Sequence, residues 1–380
     1  MDLRITDEQQ LLQETTRKFL ESTVPLEAVR RLADVEPEGF DAAWWRRGAE
    51  LGWTSLLVPE DDGGGSVSGH GLLDLVLVAE EMGRLVSPGP LAQTNVVAEA
   101  LVRSGTPAQR MEFLPGLMSG DSVAAWCLGA PAAGIAPGGQ VRADVREDGA
   151  VLDGAVGPVE AAARTDLYLV TAGTPHGVAQ FVVPSDAPGL TVEPAHSLDL
   201  VRRFAEVRFD EVRLADDAAL GTPGSAVGDI EHQLQTAAVL QCAEMAGVLD
   251  RVFEFTVEYA ADRYSFGRPL NSYQALKHRF ADMKLWLEAA HATANAAARA
   301  VDSESKHAPE LVSVAKAYIG ERGPALIQDC VQIHGGIGVT WDHDLHLYLR
   351  RMVVDRTQWG TPADHRERVA VAMGMEKGEG

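Results

Sequence analysis

Positive charge is scarce in this chain. Lysine and arginine total 33 against 55 aspartates and glutamates, a formal net charge of −22. That balance argues against nucleic acid and against anionic membrane surfaces as partners. An anionic ligand must then be received by a local basic cluster or by helix N-termini. Cysteine is scarcer still: Cys127, Cys242 and Cys330 lie far apart, each in apolar company. With no CxxC pair and no histidine pair at metal spacing, a disulfide framework and a metal site are both unexpected, and buried thiols in a reducing compartment are the reading. No uninterrupted apolar run reaches membrane-spanning length, and "MDLRITDEQQ" carries no apolar signal region. The cytoplasm is therefore the expected location.

What is present is enough for two or three domains. The chain has 380 residues, of which 46% are hydrophobic, a composition of folded rather than disordered proteins. Residues 1–120 have helical texture. Thr6 before "DEQQLLQETTRKFLES" is an N-cap followed by acidic residues, and "GHGLLDLVLVAEEMGRL" and "PAQRMEFLPGLMSG" continue with helical periodicity and glycine ends. In residues 121–225 short apolar runs such as "LYLVTA", "AQFVVP" and "AEVRFDEVRL" alternate between Gly, Pro and Asp clusters, which predicts an antiparallel β-domain. After the linker "GTPGSAVGD", residues 226–380 return to long helices rich in Ala, Leu, Val and Glu.

Two stretches carry candidate chemistry. In "YAADRYSFGRPLNSYQALKHRFADM", Gly267 and Pro269 are expected to stop one helix and Asn271 or Ser272 to cap the next. Arg263 there is either a cation favouring the last helical turn or, with Ser265 and the backbone near Phe266, part of a phosphate-facing corner. In "DCVQIHGGIGVTWDHDLHLYLRR", Gly335 and Gly336 are either a helix ending or open backbone. His334 and Gln332 mean little singly.

Together the two stretches mean more. Arg-x-x-Phe-Gly, then "YQALKHRFADM", then about fifty residues on Gln-x-x-Gly-Gly-x-Gly resembles the acyl-CoA dehydrogenase family. "LGWTSLLVPEDDGGG", "FLPGLMSGDSVAAWCLGAP" and "VRFDEVRLADDAALG" extend the resemblance over nearly the whole chain. It implies an α+β fold with an N-terminal helical domain, a middle antiparallel β-barrel-like domain and a C-terminal four-helix bundle, commonly in tetramers. It also implies FAD held between the β-domain of one subunit and the bundle of its neighbour. On that resemblance Arg263, Ser265, Phe266 and Gln274 face the FAD pyrophosphate, and Gln332, Gly335 and Gly336 its adenosine and ribose. The implied reaction is α,β-dehydrogenation of an acyl-CoA, in which a carboxylate removes the α-proton and the β-hydrogen leaves as hydride to the flavin.

The chain departs from the family pattern at the groups that perform this reaction. The family's glutamate before a Gly-Thr pair is replaced by Trp359 before Gly360-Thr361, and an indole accepts no proton. The alternative position on the first long C-terminal helix falls on Ala237; the nearest acid there, Glu244, is two turns further on. No catalytic residue is therefore assigned. The family's Thr-Glu-Pro turn corresponds to Gly129-Ala130-Pro131, and its Trp-Ile-Thr strand beside the flavin to Pro158-Val159-Glu160. A proline removes a backbone donor, and a glutamate brings negative charge beside a ring that becomes anionic on reduction. These departures predict a partner subunit in a heteromer, of α2β2 form, that completes the FAD site of a homologous catalytic chain acting on an acyl-CoA. The competing readings are a self-sufficient homotetramer with a relocated base, and a flavin-free scaffold.

Overall fold

The computed structural model describes residues 5–35, 39–128 and 140–375. Helices α1 (Asp7–Thr23), α2 (Leu26–Val35), α3 (Ala42–Glu50), α4 (Gly71–Arg84), α5 (Leu91–Ser104) and α6 (Pro107–Ser119) come first. Strands β1 (Ala124–Cys127), β2 (Val141–Arg146), β3 (Gly149–Glu160), β4 (Leu167–Thr174), β5 (Gly177–Pro184), β6 (Leu190–Ala195), β7 (Phe204–Leu214) and β8 (Ala219–Leu220) follow. The C-terminal part holds α7 (Val227–Asp262), the short strands β9 (Tyr264–Ser265) and β10 (Arg268–Pro269), then α8 (Gln274–Asp302), α9 (Ala308–His334), α10 (Leu345–Asp355) and α11 (Pro362–Ala372). The helical start at Thr6 is as expected: its hydroxyl accepts from Gln9 N and the Gln9 amide oxygen accepts from Thr6 N, a closed capping box.

The central sheet runs β6-β7-β3-β2-β4-β5-β8, with β1 beside β4. It is mixed rather than purely antiparallel, because β1 and β2 both lie parallel to β4. Among the described residues its path does not close into a barrel. Alternating apolar residues mark the strands but say nothing about the direction of a neighbour, which depends on the connections. The sheet encloses its own core of Leu152, Val156, Tyr168, Val170, Phe181, Val207 and Phe209 among others.

The chain forms two compact units. One comprises residues 1–12, 30–75 and 88–237 and contains the sheet; the other comprises 13–29, 76–87 and 238–380. In the second unit the ends of α1 and α4 are fastened to the C-terminal helices by charge. Arg17 on α1 grips Glu81 on α4 through two hydrogen bonds of 2.8 and 2.6 Å. Arg84 on α4 reaches Glu254 on α7 at 2.5 Å. His291 on α8 stands between Asp250 on α7, at 3.0 Å, and Glu80 on α4, at 3.5 Å. The helices α4 and α7 also meet backbone to backbone: a Cβ on Gly83 would lie 2.0 Å from the Glu244 carbonyl oxygen, and one on Gly247 1.9 Å from that of Glu80. Among the described residues no helix is long and apolar enough to cross a membrane.

Candidate functional site

The segment after α7 is a hairpin, not a helix–cap–helix. α7 ends at Asp262, and β9 and β10 pair around Phe266 and Gly267, both with positive φ (51° and 80°). Two consecutive left-handed residues make the tight two-residue turn whose twist suits a hairpin, so Gly267 serves the turn and does not stop the helix. The expected cap at Asn271 or Ser272 is also replaced. The Ser272 hydroxyl donates to Pro269 O at 2.6 Å, and the N-cap of α8 is Tyr273, with no side-chain cap hydrogen bond. The first amides of this 29-residue helix, beginning at Gln274, thus remain open to an acceptor.

Arg263, Ser265 and Phe266 lie on the segment that leads into that helix. Arg263 is exposed; its amide donates to Tyr259 O, its carbonyl accepts from Leu270 N, and among the described residues its guanidinium has no ion-pair partner. The Ser265 carbonyl accepts from the Tyr273 hydroxyl at 2.6 Å, and Arg268 lies 3.8 Å over the Tyr273 ring. Phe266 is 98% exposed although its backbone is held in a region unfavourable for its side chain. At the C-terminal end of α9, Gln332, Gly335 and Gly336 are exposed, and a Cβ on either glycine would meet nothing within 4 Å. The two stretches adjoin: the Tyr259 ring stacks on His334 at 4.3 Å, and its hydroxyl donates to the His334 carbonyl at 3.3 Å. A guanidinium with no ion-pair partner among the described residues, a helix start without a side-chain cap and open glycine backbone are groups that fit the phosphates and sugar of FAD.

The places from which a base could come are otherwise engaged. Ala237 is fully buried. The Glu244 carboxylate accepts from Arg351 Nη1 at 2.5 Å, and Arg351, with no exposed side-chain surface, also reaches Ser87 O at 3.3 Å. Glu244 is thus an ion-pair partner. Gln241, one turn before it, donates to Gln358 at 2.8 Å. Next to Gln358, Trp359 is half-buried with φ 58°, and its carbonyl accepts from His365 Nε2 at 3.0 Å. Thr361 caps α11, exchanging hydrogen bonds with Asp364. The segment "RTQWGTP" is a tight α10–α11 connection fastened by His365, whose other ring nitrogen accepts from the Ser313 hydroxyl at 3.2 Å.

Burial first, then the nearby Lys316 charge, lowers the pKa of His365 to about 4. A group depressed in the folded state stabilises above its unfolded pKa of 6.5, and that stability is lost as pH falls toward the folded value. Between pH 7.5 and 5.5, above the isoelectric point of 4.8, the chain should lose about 1 kcal/mol through this residue. Urea unfolding at the two pH values should show a smaller loss in His365→Gln. An identical loss would remove His365 as the source.

The sheet unit holds the two stretches that depart from the family's pattern beside the flavin. Gly129-Ala130-Pro131 lies outside the described residues. Pro158 is exposed, Val159 buried, and Glu160 buried at 8% exposure. The negative charge of Glu160 is met by Arg202, whose Nε lies 3.2 Å from Glu160 Oε1. Sequence reading missed Arg202, Arg351 and His365, each of which acts on a residue distant in the chain.

The model of the acyl-CoA dehydrogenase C-terminal domain matches residues 227–374, and that of the acyl-CoA dehydrogenase N-terminal domain matches residues 6–121. The chain belongs to the acyl-CoA dehydrogenase family. Members of this family are FAD-dependent oxidoreductases. Acyl-CoA dehydrogenase IpdE2 of Mycolicibacterium smegmatis is 30% identical over 370 residues, covering 96% of this chain and 98% of the relative. The ChsE4-ChsE5 complex from Mycobacterium tuberculosis is similar at TM-score 0.88 and 26% identity, over 100% of both chains. A glutaryl-CoA dehydrogenase from Mycobacterium smegmatis in complex with FADH2 shares the fold at TM-score 0.89 and 22% identity, covering 99% of this chain and 97% of that one.

Proposed function

We propose that this chain is the partner subunit of a heteromeric acyl-CoA dehydrogenase. It offers its C-terminal half-site to the FAD of a homologous chain that carries the base. The observation that carries this reading is the contrast between the halves. The hairpin and glycine half is open and fits a dinucleotide, whereas Trp359 and Ala237 stand at the family's base positions and Glu244 is held by Arg351. The similarity to a chain of the ChsE4-ChsE5 complex supports a heteromeric arrangement. FAD, when bound, supplies the hydride acceptor. Arg263, Ser265, Phe266 and the first amides of α8 from Gln274 would hold its phosphates, and Gln332 with the 335–336 backbone would hold its adenosine and ribose.

Expressed alone, the chain should carry little FAD and should not oxidise acyl-CoA. Co-expressed with a family member that has glutamate before its Gly-Thr pair, it should give a yellow active assembly with one FAD per pair of chains. Flavin absorbance against protein concentration measures this. One tightly bound FAD per chain in the protein alone, bleached by an acyl-CoA, would instead establish a self-sufficient homo-oligomer.

Within that assembly Arg263→Ala should weaken FAD retention about tenfold to a hundredfold, the worth of one charge-assisted contact. Flavin release during dialysis reads this directly. Unchanged retention would leave Arg263 as a cation at a helix end.

A further inference from the structure

We infer that the sheet-bearing unit has a binding site of its own, a cavity that takes a small zwitterion of the amino-acid class. The cavity has a volume of about 390 Å³ and is walled by α3, the turn from α6 into β1 and the connection from β3 to β4. All of its wall residues belong to that one unit, so the inference depends neither on the flavin half-site nor on the partner-subunit reading.

Helix α3 supplies the donors. Trp45 is fully buried, and among the described residues its Nε1 has no hydrogen-bond partner. Cδ1, the ring atom bonded to Nε1, faces Gly120 on the cavity wall, 3.3 Å from where a Cβ on that glycine would lie. Arg46, next in the helix, binds Asp121 Oδ1 through Nε at 2.7 Å, and among the described residues no other carboxylate pairs with it. Its terminal nitrogens are left for a ligand carboxylate, which a guanidinium receives well. The β3–β4 connection supplies the acceptor. Asp166 is exposed, receives Val123 N on Oδ2 at 2.8 Å and, among the described residues, forms no ion pair, so its Oδ1 is left for a cation. Arg164 is already engaged, donating to Phe40 O at 3.0 Å and lying 5.1 Å over the Phe40 ring. A simple anion entering the cavity would meet Asp166 as well as Arg46, and a simple cation would meet Arg46 as well as Asp166. A molecule with both a carboxylate and an ammonium group satisfies the two together. Its side chain should be polar, because the apolar wall residues Phe40, Trp45 and Val123 are buried and present almost no surface.

The test is equilibrium dialysis of the full chain, purified alone, against radiolabelled L-glutamine. Binding should saturate with a Kd of about 1 mM, the range open to a ligand of about ten non-hydrogen atoms. Glutaramate, which lacks the ammonium group, and 4-aminobutanamide, which lacks the carboxylate, should displace the label at least about tenfold more weakly than unlabelled L-glutamine. Arg46→Gln and Asp166→Asn should each weaken binding about tenfold; asparagine keeps an acceptor for Val123 N. Arg146→Gln, which alters an exposed arginine on β2 paired with Asp144, should leave binding unchanged. Cooperative thermal unfolding verifies that each variant is folded, and should Asp166→Asn not fold, Arg46→Gln decides alone. Absence of saturable binding up to about 10 mM overturns the inference. So does displacement by either half-molecule as strong as that by L-glutamine, or binding unchanged in the folded variants at Arg46 and Asp166. None of these results bears on the partner-subunit reading, which is read from flavin.

Discussion

Arg351→Met should destabilise the protein by about 3–5 kcal/mol, the usual result of removing one partner from a buried ion pair. Arg351 has no exposed side-chain surface and Glu244 has 12%, so the carboxylate would lose a buried cation with little water to replace it. Ser87 O would lose the guanidinium as well. Methionine fills most of the vacated space, which separates the electrostatic loss from a cavity. The double variant Arg351→Met/Glu244→Gln should recover more than half of the loss, because the remaining amide is neutral. Urea unfolding of the two singles and the double gives the coupling directly. If Glu244→Gln alone costs as much as Arg351→Met and the double is additive, the two residues do not act as a pair. The same series separates structural from catalytic use of Glu244, since a base would affect turnover without affecting stability.

Much of this fold could be read from local sequence because local rules determine it. Thr6 and Gln9 stand at capping-box spacing, and the runs at 167–172, 179–184 and 205–214 are strands in the structure. The resemblance led to the right family because its motifs are short and contiguous: Arg263 to Gly267 is one hairpin and Gln332 to Gly338 one helix end. The residues that sequence reading missed act across distance. Nothing near Glu160 in the chain announces Arg202, and "LHLYLRR" does not reveal that Arg351, unlike its neighbour Arg350, is buried against Glu244. Strand direction was hidden for the same reason: β1 and β2 read as strands, but their parallel pairing with β4 is a property of the connections. The hairpin turn was misread because Phe266-Gly267 places an aromatic where Asn or Gly is usual for two positive φ angles.

The charge network that ties α1 and α4 to the C-terminal helices leads to an opposite dependence on pH from that of His365. His291 faces Asp250 and Glu80; Arg84, 3.9 Å from Asp250, and Glu81, beside Glu80 on α4, complete its charged surroundings. Burial alone would lower its pKa, but hydrogen bonds and attraction from the two carboxylates outweigh that and push it up to about 10. A group raised in the folded state gives stability that is complete below its unfolded pKa of 6.5 and is lost as pH rises toward the folded value. The unaltered chain should therefore weaken between pH 6.5 and 10, and His291→Leu should lack that alkaline loss. At pH 7 the variant should be less stable by about 3–5 kcal/mol, since the imidazolium between the two carboxylates is then gone and only Arg84, 3.9 Å from Asp250, still faces one of them. The deficit should shrink as pH falls toward 5.5, because burial already raises the pKa of Glu80 and, once the imidazolium is gone, a proton on Glu80 relieves the repulsion. Urea unfolding at pH 5.5, 7 and 9 distinguishes this from simple loss of packing, which would lower stability equally at all three. Equal deficits would mean that His291 holds α8 against α4 and α7 by shape and not by charge.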